Sequence, residues 1–299
     1  MQSNNLVVCA DVGGSHITSC LLDLETRQLI KSSEARVAID SHAEADKIIS
    51  DWSKCIGQSI GNSHVQKICI AMPGPFDYEV GICLIKGLDK YPHLYSLNVK
   101  ELLAQALGFS AKDIYLNNDA ACFLQGEVFS GSAMGYNTVI GVTLGTGLGT
   151  AVCRNGLAHS ADLWRFPFKA SIAEEYISTR WFVKRHFEMS GKKIIGAHEL
   201  STLISKDPNA SIIFEEFGHN LGCFLAAFME KEKPESIVIG GNIAKAYSFF
   251  KDTMENEIRK VNKEIVITTA VLGEDAMMIG AGAGWYMQTK VEEEKTLRS

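Results

Sequence analysis

Five short segments of this sequence carry residue types that could do chemistry. The first is Asp11-Val12-Gly13-Gly14-Ser15. Glycines in a tight turn let backbone N–H groups approach an anion closely. An Asp at the end of the preceding strand can hold a hydrated Mg²⁺, an ion that takes few carboxylates alongside phosphate oxygens. A plain β-hairpin with an Asx turn would use the same residues. The second segment, Leu144-Gly145-Thr146-Gly147-Leu148-Gly149-Thr150, alternates glycines between two apolar runs. A strand follows it, so it is not a dinucleotide-binding fingerprint, and it has no Gly-Lys-Ser/Thr of a Walker loop. A turn this rich in glycine loses conformational entropy on ordering, and close approach of a phosphate is a reason to retain it. The third, Ile239-Gly240-Gly241-Asn242-Ile243, sits between a strand and a helix, where small residues admit a flat ring against an electropositive helix start. In the fourth, Asn117-Asn118-Asp119-Ala120, the Asn and Asp serve equally as helix N-caps or as a carboxylate that accepts a hydroxyl proton, with Asn118 bonding a neighbouring hydroxyl. The fifth is the Pro-Gly-Pro stop at Pro73-Gly74-Pro75.

Regular elements must hold these segments in place. "LVVCAD", "ITSCLLDL" and "QLIKSSEARVAI" read as three strands around the first turn. Ile48, Ile49, Trp52 and Ile56 share one face of a helix. "KICIAMPGP" and "DIYLNND" are buried strands, and "SLNVKELLAQALG" is a helix closed by Gly108. The second half opens the same way, with "YNTVIGVTLGTGLGTAVCRNG" as strand, glycine turn and strand, ending at an Asn-Gly turn. Helices are expected over 171–189 and 209–230, then strand, turn and helix around Gly240, a strand at "EIVITTAVLG", and a closing helix from "EDAMMIGAGAGW". Strands alternating with helices predict α/β sheets. The repeated glycine hairpin predicts two similar domains, with ligands in a cleft contacted by both turns. The expected boundaries are 1–118 for a small N-terminal α/β domain, rejoined by a C-terminal helix at about 284–299, and 119–283 for a larger one.

Bulk properties narrow the function. The 299 residues carry a net charge of −6, with 46% hydrophobic and 21% charged residues. This is the balance of an ordinary soluble enzyme, and an acidic chain is not steered toward nucleic acid or anionic membranes. The N-terminus lacks the pattern of a signal peptide, and no run reaches the ~18 apolar residues of a membrane span. The eight cysteines show no C-x-x-C spacing and mostly sit in apolar runs, which fits buried free thiols in a reducing cytoplasm. The histidines are scattered.

The ordered set "ADVGGSH", "AMPGP", "NNDAA", "TLGTGLG" and "VIGGN" resembles the ROK family of sugar kinases and repressors, in the superfamily of actin, hexokinase and heat-shock-protein ATPases. The resemblance runs over nearly the whole chain. It implies two actin-like, ribonuclease H-like α/β domains flanking a cleft, and transfer of the ATP γ-phosphoryl group to a hexose hydroxyl with Mg²⁺. Asp119 matches the family's catalytic base, Asn118 its sugar-binding partner and Gly74 the turn near the sugar. Gly13 and Gly14, with Asp11 and Ser15, match the first phosphate turn; Gly145, Thr146 and Gly147 match the second; Gly240, Gly241 and Asn242 match the adenosine turn. Asp11 would hold Mg²⁺ through water. The resemblance also implies a homodimer.

One segment departs from the family pattern. Its members usually carry a Glu–His motif, a zinc-binding cysteine cluster and a sugar-contacting Glu after the second hairpin. This chain reads "HSADLWRFPFKASIAEEYIS", so no zinc is expected. Asp162 could replace the Glu, and Trp164 could stack on a sugar. Glu174, in a Glu-x-x-x-Ser pattern ending at Ser178, is the better-supported sugar ligand, though an acid in a first helical turn also suits the helix dipole. A glucose-like hexose, an amino sugar or an N-acetylated sugar all fit this altered segment. A sugar-responsive DNA-binding regulator would need helix-turn-helix residues before Asp11, where only ten residues stand. A non-catalytic sugar-binding protein is the other alternative.

Overall fold

The structure, a computed structural model, describes residues 5–87 and 90–298. In chain order the first elements are β1 (Leu6–Val12), β2 (His16–Asp23), β3 (Gln28–Ala38), α1 (Ala45–Ile60) and β4 (Ile68–Met72). There follow the short strands β5 (Phe76–Asp77) and β6 (Ile82–Cys83), then α2 (Val99–Leu107), β7 (Ile114–Asn118) and α3 (Asp119–Ser130). The second half contains β8 (Thr138–Leu144), β9 (Leu148–Arg154), β10 (Leu157–Ser160), β11 (Pro167–Phe168), β12 (Ser171–Ile172), α4 (Thr179–Ser190), α5 (Ala197–Thr202) and α6 (Pro208–Glu232). It closes with β13 (Ser236–Gly240), α7 (Tyr247–Ile258), β14 (Val266–Thr269) and α8 (Asp275–Arg298).

Two five-stranded sheets form, with orders β3-β2-β1-β4-β7 and β10-β9-β8-β13-β14. The orders are the same pattern written twice. In each, a hairpin pair is antiparallel and the inner strand then pairs in parallel with a later strand. Thus β1 runs antiparallel to β2 and parallel to β4, while β8 runs antiparallel to β9 and parallel to β13. The repeated glycine hairpin in the sequence is therefore a repeated sheet. The five residues of β4 and of β13 are all buried, which explains their unbroken apolar runs.

The chain divides into two compact units. One comprises the residues through Met134, Gly156–His159 and the chain from Glu274 on; the other comprises Gly135–Asn155 and Ser160–Gly273. The first unit thus continues past 118 to take in α3, and it also holds the whole of α8. The reason is packing: Phe129 of α3 meets Tyr286 of α8 edge-on at 6.3 Å. Helix α1 buries Ile48, Ile49, Trp52, Cys55 and Ile56 against this unit's core, the face that its spacing predicts. Asn98 caps α2 by accepting the Glu101 amide, and Gly108 ends it at φ 73°.

The second unit has its own core, in which Phe182, Phe214, Phe217, Phe224 and Phe250 are buried. Phe182 and Phe217 pack with centroids 4.6 Å apart and their rings tilted by 38°. Asp207 caps α6, and Pro208 occupies its first turn. One expected helix is shorter than its pattern suggests. Residues 171–178 are a strand end, a single 3-10 turn at Ala173–Glu175 and a bend, and α4 begins only at Thr179. Pairing of Phe168 with Ser171 forms a two-strand corner, and Phe168 meets Tyr176 edge-on at 5.6 Å. Apolar residues spaced as for a helix here pack a corner instead.

Candidate active site

In the first unit, β7 delivers Asn118 and Asp119 to the start of α3. Asn118 is the N-cap: its side-chain oxygen accepts the amides of Ala120 and Ala121 at 3.0 and 3.3 Å. Its amide nitrogen donates to Tyr78 Oη at 3.2 Å, and Tyr78 donates to the Met72 carbonyl at 3.1 Å. Gly74 lies beside them, since a Cβ added there would stand 2.7 Å from Tyr78 Oη and 3.7 Å from Asn118 Nδ2. One side chain thus serves two contacts, its oxygen capping the helix and its nitrogen donating to Tyr78 beside the Gly74 turn.

Asp119 accepts the Ala120 amide at 2.8 Å. Burial raises its carboxyl above the ordinary value; the Ala120 amide, then Lys90, oppose the shift. Asp11, at the end of β1, is pushed up to about 7 by burial first, then by the charges of Asp119 and Glu274, with Arg36 opposing. Two carboxylates held where water is scarce repel one another. A divalent cation is the natural counter-charge, and a carboxylate on one side with glycine amides on the other suits Mg²⁺ with phosphate oxygens. The donor set fits that ion.

The first glycine turn is closed by Gly13 N–H donating to the His16 carbonyl at 2.9 Å. Tyr91 Oη donates to the Gly13 carbonyl and stands edge-on to Trp52 at 5.3 Å. Burial, then Asp11, raises the Tyr91 phenol far above its usual range, so it stays a donor. Arg36, which only donates, contacts His16 Nε2 at 2.8 Å. A neutral His16 therefore carries its proton on Nδ1 and donates it to Ser15 Oγ, 3.1 Å away. The Ser15 hydroxyl hydrogen is then left to donate to an anion. Gly14 and Ser15 are exposed at the tip of the turn.

The second unit repeats the turn with other supports. Gly145 N–H donates to the Gly147 carbonyl at 3.1 Å. The Gly145 carbonyl accepts both the amide and the hydroxyl of Thr179, at 2.8 and 2.9 Å. Glu174 accepts the Leu148 amide at 3.0 Å and pairs with Arg180 at 2.7 Å. Gly147 lies close under this carboxylate, where a Cβ would come 2.6 Å from Glu174 Oε2 and push it off the Leu148 amide. Thr146 is exposed at the tip. Gly241, at φ 87°, lies against the same strand, where a Cβ would meet Leu144 N at 2.6 Å. Gly240 pairs in register with Thr143, so the Gly240–Asn242 turn and the Gly145–Gly147 turn are neighbours. Asn242 accepts from Lys245 at 3.0 Å.

Asp162 is exposed, with φ 51°, and its carboxylate accepts Trp164 Nε1–H at 2.7 Å. Arg165 lies 4.2 Å over the Trp164 ring. Glu174 and Asp162 thus have different settings, one clamped onto the glycine turn and the other in a local surface cluster. The sequence-predicted residues fall into two groups, Asp11 to Ser15 with Gly74, Asn118 and Asp119 in the first unit, and Gly145 to Gly147, Asp162, Glu174 and Gly240 to Asn242 in the second. Sequence reasoning missed Tyr78, Tyr91, Arg36 and Thr179. Arg36, Tyr91 and Thr179 reach turns 20, 78 and 34 residues away, and Tyr78 meets Asn118 from 40 residues away, so no local motif marks them.

Comparison with known proteins decides the family. The ROK family model matches residues 7–161 and 169–288. The chain belongs to the ROK family. Among curated relatives, the N-acetyl-D-glucosamine kinase of Histophilus somni is 23% identical over 311 residues, spanning 91% of this chain and 96% of that one. Among solved structures, a ROK hexokinase from Thermus thermophilus matches with a TM-score of 0.79 at 20% identity, over 95% of this chain and 99% of that one. A ROK family glucokinase from Streptomyces griseus, in complex with glucose and AMPPNP, matches with a TM-score of 0.72 at 19% identity, over 93% and 98% of the two chains. The fold of this ROK protein is therefore the actin-like ATPase fold, built on its two five-stranded sheets. Among its described residues, no helix is long and apolar enough to cross a membrane.

Proposed function

We propose that this ROK protein is an ATP-dependent sugar kinase that phosphorylates a hydroxyl of a hexose or an N-acetylated hexose. The observation that carries the reading is Asp119: a carboxylate of raised pKa at a helix start, beside an Asn whose amide points to the Gly74 turn. A base poised nearer neutrality than an ordinary Asp takes a hydroxyl proton more readily. Asn118 and Gly74 would fix the sugar, and Asp162 would be a further sugar ligand, whereas Glu174, bound to the Leu148 amide and Arg180, would hold the second glycine turn. The nearly full-length match to an N-acetyl-D-glucosamine kinase supports the same reading.

Phosphoryl transfer rests mostly on positioning and charge neutralisation. Asp11 would hold Mg²⁺ through a coordinated water, and the ion would neutralise the β- and γ-phosphate oxygens. The amides of Gly13, Gly14 and Ser15, and the Ser15 hydroxyl, would bind phosphate; so would Gly145, Thr146 and Gly147. Gly240, Gly241 and Asn242 would receive the adenosine. A homodimer in the cytoplasm belongs to the same reading; the eight free cysteines, seven of them buried, support a reducing compartment.

ADP release with Mg²⁺ across hexoses and N-acetylhexosamines tests the reading, with Asp119→Ala beside the parent. Sugar-dependent turnover lost by ~10²–10⁴ in the variant is expected. ATP binding without turnover on any sugar would favour the non-catalytic sugar-binding alternative.

A further inference from the structure

A second cluster of chemistry-bearing side chains stands in the second unit, on residues that the kinase reading does not use. His219 and Cys223 are four apart on α6 and so share one face of the helix. Glu257 reaches them from α7. Its carboxylate lies 3.2 Å from His219 Nδ1, and Cys223 Sγ lies 4.0 Å from the same nitrogen. The three donor atoms all fall within 4.8 Å of one another. In a tetrahedral zinc site the usual bond lengths place donor atoms ~3.3–3.6 Å apart, so small rotamer adjustments would close the set on one ion.

The helix crossing builds this cluster. Gly222, on α6, faces α7 so closely that a Cβ would meet the Met254 carbonyl at 2.6 Å and Glu257 Cβ at 2.7 Å. Without a side chain at 222 the two helices approach closely enough for Glu257 to stand beside Cys223. Lys260 Nζ holds the second oxygen of Glu257 at 2.5 Å, leaving the other facing the histidine. Cys223 is partly exposed, whereas the other seven cysteines are buried, so this thiol is within reach of a metal ion from solvent.

We propose that His219, Cys223 and Glu257 form a binding site for a borderline divalent ion of the zinc class. One imidazole, one thiolate and one carboxylate suit Zn²⁺ and disfavour Mg²⁺ or Ca²⁺, which take oxygen ligands. Three protein ligands leave a fourth position to water or an added thiol. An ion here ties α6 to α7 and strengthens the second unit by binding its folded form. The lack of C-x-x-C spacing does not bear on this site, because two ligands come from one helical turn and the third from the next helix.

The full chain, freed of metal, is titrated with Co²⁺ alone and then with Zn²⁺. The proposal expects one equivalent of Co²⁺ with tetrahedral visible bands and a near-ultraviolet sulfur-to-cobalt band, displaced by Zn²⁺. That sulfur band disappears in Cys223→Ser, and binding weakens in His219→Gln. In the parent, Zn²⁺ at ten times its dissociation constant slows alkylation of Cys223 by roughly tenfold, a readout that needs no variant to fold. No sulfur band in the parent, a band undiminished in Cys223→Ser, or alkylation of Cys223 unaffected by Zn²⁺ would overturn the proposal.

Discussion

The two glycine hairpins share a frame and differ in what pins them. Both join antiparallel strands and close through a glycine N–H donated across the turn. In the first unit the penultimate strand residue is Asp11, which pairs in register with Thr18; in the second, the equivalent place before the turn is Thr143, which pairs with Gly149. The first turn is held by its carbonyl, through Tyr91. The second is held on both sides, with Thr179 on the Gly145 carbonyl and Glu174 on the Leu148 amide. The two hairpins share a backbone pattern and differ in the side chains that serve them. The turn that carries a strand-end carboxylate also has the raised-pKa Asp119 in its own unit, whereas the other turn has spent its carboxylate on holding its own backbone.

If that division is right, Asp11→Asn has the largest effect among changes at the two turns. Losing the carboxylate proposed to orient a metal's water should raise the Mg²⁺ concentration needed for half-maximal turnover by ~10–100-fold. The same variant sharpens the comparison through stability. The folded-state pKa of Asp11 is raised from 3.8 to about 7, so the folded protein binds this proton more tightly than the unfolded chain. That contribution is fully present below pH 3.8 and is lost as pH rises through about 7. Asp11→Asn should therefore melt above the parent at pH 8, with the difference shrinking toward pH 4. Equal melting temperatures at both pH values would remove the buried charge from the account.

Glu174→Gln comes next. It keeps the shape and an oxygen acceptor for the Leu148 amide but removes the charge, a change of about 1–1.5 kcal/mol, the difference between a charged and a neutral hydrogen bond. The expected result is a KM for ATP raised roughly tenfold, with kcat less affected. An effect confined to the sugar KM would instead make Glu174 a sugar ligand. The smallest effect belongs to Tyr91→Phe, which removes one bond to the Gly13 carbonyl. It should cost about 1 kcal/mol of unfolding free energy, seen as a lower denaturant midpoint at unchanged slope.

Much of this was legible in the sequence, for a physical reason. Turns that must bring backbone near an anion need glycine, and buried parallel strands need unbroken apolar runs, so Gly13, Gly145 and Gly240 and the strands around them can be read locally. Asn118 and Asp119 could be placed at a helix start because capping has its own residue preferences. The supports could not be read. Tyr91 lies 78 residues from Gly13, and Thr179 lies 34 from Gly145; each bond exists only after the sheets assemble. The segment 171–178 misled because an apolar spacing that fits a helix also fits a packed corner. The His219–Cys223 pair was visible as an i, i+4 spacing, but Glu257 joins it only through the crossing of α6 and α7.

The central claim is that Asp119 performs the proton transfer and takes no part in holding the nucleotide. The direct test measures MgATP affinity and sugar-dependent turnover on the same preparation of Asp119→Asn. The account predicts affinity within about twofold of the parent and turnover lower by ~10²–10⁴. Turnover within tenfold of the parent, or nucleotide binding lost together with turnover, would contradict it.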